Sequence, residues 1–232
     1  MAGLVFAIVA TVAGTSVLAI QKRTEPPATR APRSDDRTAM PWRVLVPLTA
    51  CALAMGALLG GAEVATVALA GRLGSSSLSG LMLAVWAAGS LVAGIITGAM
   101  RPRAGYAVRV RWGLLALGLS MLPLLFVDGF LAFGVFLFVS GFAISPTLIA
   151  ACALLEQAVP PGRITEGGTI FTTGLGGGLA PGAALVGTVV DHAGAAAGFW
   201  VPAAAGLLGA AVAVALPSVR RDDQAPVRQP AA

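Results

Sequence analysis

Long apolar runs occupy most of this 232-residue chain. An α-helix needs about 20 apolar residues to cross the hydrocarbon core of a bilayer. The runs are apolar on every side, which excludes the alternating strands of an outer-membrane barrel. The sequence therefore predicts an all-α, polytopic membrane protein with about seven transmembrane helices. The predicted spans cover residues 2–20, 44–70, 78–100, 112–127, 130–155, 169–190 and 199–216.

The composition excludes the common classes of soluble protein. Charged residues make up 11% of the chain, whereas soluble domains carry about 25%. Cys51 and Cys152 fall inside apolar runs, where cysteine behaves as a small hydrophobic residue. With a single histidine, His192, the chain offers no Cys/His spacing for a metal and no nucleophile–base pair. We therefore expect no metal, no cofactor and no enzymatic activity.

The positive charges predict how the chain is oriented. If residues 21–43 lie in the cytoplasm and successive spans alternate sides, every one of the 15 Lys and Arg residues except Arg72 is cytoplasmic. This asymmetry follows the positive-inside rule and predicts an N-out/C-in protein of the plasma membrane. Lys22 and Arg23 follow the first run, which favours a retained helix over a signal peptide. The net charge of +5 then reflects membrane topology, so no nucleic-acid partner is expected.

Proline-rich, polar segments divide the chain. Residues 1–20 are the first helix, 21–43 a flexible cytoplasmic linker, 44–216 a six-helix unit and 217–232 a disordered cytoplasmic tail. The predicted outer connections are too short to form a domain. The expected partners are therefore the lipid bilayer and a small molecule that enters between the helices.

A basic loop follows the third span and contains Gly98, Arg103 and Gly105. It resembles the Gly-x-x-x-Asp-Arg-x-Gly loop of the major facilitator superfamily, with Pro102 in place of the Asp and Tyr106 in place of a basic residue. The resemblance implies that these three residues form a cytoplasmic gate loop. The alternative is a simple positive-inside anchor with a Gly-Pro turn.

A second resemblance to the superfamily lies in residues 141–182, which are similar to its helices 10 and 11. Pro146 cannot donate the hydrogen bond that a helix requires there, so a bend is expected. Thr165 is expected to cap the next helix. Farther along that helix we predict bending or close packing at small residues and proline. These are Gly174, Gly178, Pro181 and Gly182.

The resemblance covers most of the chain and implies a half-transporter. The first span looks like helix 6 of the superfamily and the next six look like helices 7–12. The implied function is secondary active transport of a small molecule, with proton-coupled efflux as the expected mode. A missing amino-terminal half or a second copy would supply the other wall of the path. The alternatives are an inactive, truncated membrane fragment or a seven-helix small-ligand receptor; a retinal protein is excluded because Lys22 is the only lysine.

Glu63 is the one acidic residue inside a predicted span. It lies nine residues before Arg72, or about 13 Å along a helix. One interpretation is a proton-coupling or substrate-binding acid in a central cavity, with Thr66 on the same helix face. The other is a carboxylate near the outer rim that is reached by water or paired with Arg72.

Overall fold

The computed structural model describes residues 2–20, 39–100 and 104–217, and all regular structure within them is helical. Five short 3-10 segments join or extend the α-helices: Ser76–Leu78, Leu122–Phe126, Pro161–Arg163, Ala196–Phe199 and Ala213–Ala215. The α-helices are α1 (Ala2–Ile20), α2 (Trp42–Arg72), α3 (Ser79–Ala99), α4 (Tyr106–Ser120), α5 (Phe130–Gly141), α6 (Ile144–Ala158), α7 (Ile164–Ala193) and α8 (Trp200–Val212).

Six segments of the described chain are long and apolar enough to cross a membrane. The helix α1 belongs to a separate unit and is not among them. The count of seven spans and the N-out/C-in orientation therefore remain predictions. The predicted linker, apart from residues 39–43, and the predicted tail after Pro217 lie outside the described residues. The six spans are Trp42–Arg72, Ser76–Ala99, Tyr106–Phe126, Phe130–Ala158, Pro161–Ala193 and Ala196–Ala215.

The helix α2 is the most buried of the six spans. It packs against α7 and α8, while α3 packs against α5, and α4 packs against α6 and α8. Two apolar clusters fill the bundle, one at each end of α2. The first includes Leu48 and Leu154, and the second includes Leu69 and Phe133.

Glycines allow α2 and α7 to approach until their backbones touch. A methyl group on Gly56 would overlap the carbonyl oxygen of Leu175, and one on Gly60 would overlap that of Leu179. Gly178 on α7 is the counterpart of these two glycines, because a methyl group on Gly178 would overlap the carbonyl oxygen of Leu53. The smooth surfaces thus replace side-chain interdigitation with direct backbone contact.

The span Phe130–Ala158 is broken into α5 and α6 at residues 142–143. Pro146 has no amide hydrogen to give to the carbonyl of Phe142, so one α-helical hydrogen bond is missing at this point. At the break, the Phe142 amide donates to the Val139 carbonyl at 3.2 Å, three residues back instead of four. Next to the break, the Ser90 and Ser145 hydroxyls lie 2.7 Å apart and join α3 to α6.

Two helix starts differ from the sequence prediction. The predicted span 112–127 begins at Tyr106 instead of residue 112, so Arg109 and Arg111 lie on α4 and not in a loop. The helix α7 begins at Ile164, and Thr165 lies inside its first turn. The predicted Thr165 cap is therefore wrong, because a short 3-10 turn leads directly into the helix and no side chain caps it.

Candidate functional site

The side chain of Glu63 is exposed on the surface of the six-helix unit, within the membrane-length helix α2. It forms no hydrogen bond or ion pair with another residue of the described chain. Val67, one turn farther along the helix, is exposed as well, whereas Gly60, one turn earlier, is buried against α7. A carboxylate at this position therefore meets whatever lies outside the unit.

Thr66 does not share the exposed face of Glu63, so this part of the prediction is wrong. Its exposed fraction is 0%, because three helical steps turn the side chain about 60° away from Glu63. Ala62 and Ala65 are buried on the same side of α2. The Thr66 hydroxyl has no partner in the described part of the chain, and it lies in the core instead of a cavity wall.

Arg72 pairs with Asp128 and not with Glu63. Its guanidinium donates to the Asp128 carboxylate at 3.3 Å, and both side chains are exposed. This pair joins the end of α2 to the turn that precedes α5. The proposed pairing of Glu63 with Arg72 is therefore wrong, which leaves water or a group from outside the unit as the partner of Glu63.

The predicted gate loop is described only at its two ends. Gly98 lies in the last turn of α3 and Gly105 directly precedes α4, and both are exposed. A methyl group on either glycine would meet open space, so neither is required for close packing within the unit. Arg103 lies outside the described residues, and its role as a gate residue stays a prediction.

The glycine and proline positions of α7 divide between its two faces. Gly174, Gly178 and Gly182 are buried against α2, whereas Pro181 is exposed within a helix that continues past it. Pro146 lies in the first turn of α6, just after the break that it accompanies.

The face of α7 that points away from α2 is unusually polar for a membrane-length helix. Thr169, Thr172 and Thr173 are exposed there, together with Gly176 and Gly177. In contrast, the exposed surfaces of α4 and α8 carry bulky apolar groups such as Trp112 and Leu208. The small, polar face of α7 is typical of a helix that borders protein or water instead of lipid.

Arg111 is a structurally important residue that the sequence prediction placed in a loop. Its guanidinium donates to the carbonyl oxygens of Ala213 and Val214 at 3.3 and 3.2 Å. It therefore binds the end of the last span, where helical carbonyls have no partners of their own. The buried residues Val110 and Leu114 continue the apolar periodicity across Arg111, and this signal could have extended α4 correctly.

No group of three or more His, Cys, Asp or Glu residues in the described chain could hold a metal ion. The bundle, the exposed acid on α2 and the polar face of α7 together define a polytopic helical membrane protein. The sequence matches the profile of the Major Facilitator Superfamily over residues 48–232. The chain therefore belongs to the Major Facilitator Superfamily, whose members are generally carriers without enzymatic activity. A comparison with curated proteins finds no match to this chain.

Proposed function

We propose that this chain is the carboxy-terminal half of a secondary active transporter in the plasma membrane, and that it exports a small molecule in exchange for protons that enter down their gradient. Family membership supports membrane transport. The exposed position of Glu63 on α2 supports the further proposal that transport is coupled to protons. A charged acid within the hydrocarbon region costs about 2.5–3.5 kcal/mol on insertion scales. Glu63 avoids this cost if its face borders a water-filled path.

The second wall of the path is another six-helix unit, either a separate amino-terminal half or a second copy of this chain. The polar face of α7 supports this arrangement, because small residues such as Gly176 and Gly177 suit close contact between helices. A substrate would then pass between the two units. Glu63 would take up and release the coupled proton from within that path.

Energised inside-out membrane vesicles provide the test, with ethidium and a panel of other lipophilic cations as transport probes. Glu63→Gln is expected to abolish proton-driven uptake, whereas Glu63→Asp retains part of it because the titratable group remains. Glu156→Gln is the matched control, since Glu156 is an exposed acid near the end of α6. Full proton-driven uptake by Glu63→Gln would refute the coupling role. Absence of uptake by the wild-type chain with every compound would refute transport by this chain alone.

A further inference from the structure

A long groove of 560 Å³ runs between α4 and the broken span formed by α5 and α6. On α4 its wall extends from Arg109, through Ala116, to Ser120. These eleven helical steps measure about 16 Å. One leaflet of a bilayer core is about 15 Å thick, half of the full 30 Å. The groove therefore has the length of a single lipid leaflet.

The wall of the groove offers carbon surface along most of this length. Val139 and Phe142 line it from the opposite side. Its two hydroxyls are already used inside the protein: Ser120 donates to the Leu117 carbonyl at 2.8 Å, and Thr147 donates to the Ala143 carbonyl. A ligand in the groove thus meets methyl, methylene and aromatic groups and gains little from polar atoms. This environment suits an acyl chain.

One end of the groove carries a positive charge. The guanidinium carbon of Arg109 lies 5.9 Å from the centre of the Tyr106 ring, which holds it at the rim. Arg109 forms no ion pair with any carboxylate in the described ranges. Trp112, on the next turn, is 63% exposed, as expected of an aromatic residue at the membrane interface. If α4 enters the membrane at its first turn, this charge lies at headgroup depth, where a phosphate would meet it.

From this geometry we propose that the groove binds an anionic phospholipid, with its phosphate at Arg109 and one acyl chain along Ala116 towards Ser120. The α5–α6 break opens the groove beside Pro146, and Gly113 allows Thr147 to close its floor. The site lies on α4, α5 and α6, whereas Glu63 lies on α2, so the site is independent of the proposed transport path. It requires only that α4 crosses the membrane with its first turn at the surface.

Native mass spectrometry of the purified full chain in detergent tests this site. Phosphatidylglycerol or phosphatidylcholine is added, and inorganic phosphate serves as the competitor. The wild type is expected to retain phosphatidylglycerol in preference to phosphatidylcholine. Arg109→Gln weakens phosphatidylglycerol binding about fivefold, the effect of one basic residue near an anionic surface. Arg163→Gln, which changes a cation at a different turn, leaves it unchanged.

A second variant tests the acyl-chain part of the site without changing charge. Ala116→Phe fills an exposed position in the groove and is expected to weaken both lipids, whereas Ala204→Phe, at an exposed position on α8, weakens neither. Gel filtration confirms that each variant is folded. Unchanged lipid binding in Arg109→Gln or Ala116→Phe would overturn the proposal. Displacement by millimolar inorganic phosphate, or a change of oligomeric state in Ala116→Phe, would instead assign the site to a free anion or to another protein chain.

Discussion

At the scale of single residues, Arg111 is the side chain that most directly ties two spans together. It lies on α4 and donates to two carbonyls at the end of the last span. The C-terminal end of a helix carries a partial negative charge, so a guanidinium there is favourable. The two hydrogen bonds therefore join the first half of α4 to the segment that follows α8.

Arg111→Gln is expected to lower the free energy of unfolding by about 1–2 kcal/mol, because the charged hydrogen bonds are lost. The measurement is thermal unfolding of the purified chain in detergent. Arg43→Gln is the matched control, since Arg43 is exposed and contributes to neither ion pair of the described chain. Equal stability of the two variants would show that the contact to the last span contributes nothing.

Glu63 and Thr66 show how far residue-level reasoning from the sequence extends. An acid inside an apolar run is visible in any sequence, and its significance follows from the cost of placing charge in lipid. Which neighbours share its face is much harder to read, because α2 is apolar on all sides and lacks an amphipathic stripe. Only the packing of α2 against its neighbours shows that Glu63 is exposed and Thr66 is buried.

At the scale of helices, the contact between α2 and α7 depends on glycine. Gly178→Ala would force a methyl group against the Leu53 carbonyl and the Ala57 amide, both parts of a helical backbone. We expect it to destabilise the chain by about 1–3 kcal/mol, which is typical of overpacking. Gly187→Ala is the control on the same helix, since a methyl there has nothing within 4 Å. Thermal unfolding of the two variants should differ clearly, and a similar midpoint would contradict the tight contact.

The glycine spacing in the sequence was sufficient to predict a smooth stripe on α7 but not its partner. Gly56 and Gly60 carry the complementary surface on α2, and their four-residue spacing is equally visible. Small-xxx-small patterns occur on many membrane helices, so the spacing alone does not select a pair. In the same way, Pro146 predicts a bend, whereas the bond between Ser90 and Ser145 depends on which helix lies beside it.

At the scale of the whole molecule, the distribution of arginines predicts that the turn between α2 and α3 is outside and the turn before α7 is inside. In a chain with Cys51 and Cys152 replaced by alanine, Ser77→Cys should react with an impermeant maleimide added to intact cells. Gly162→Cys should react only after the cells are broken. Both positions are exposed. The opposite pattern would invert the topology that the positive charges predict.

The central claim is that the face of α2 bearing Glu63 borders water within the membrane. In the same cysteine-free background, Glu63→Cys is compared with Leu119→Cys, an exposed apolar position within the membrane-length span of α4. A maleimide needs a thiolate, which forms in water and not in lipid. The rate of maleimide labelling in intact membranes is therefore expected to be at least about tenfold higher at position 63. Equal rates at the two positions would place Glu63 against lipid and contradict the account.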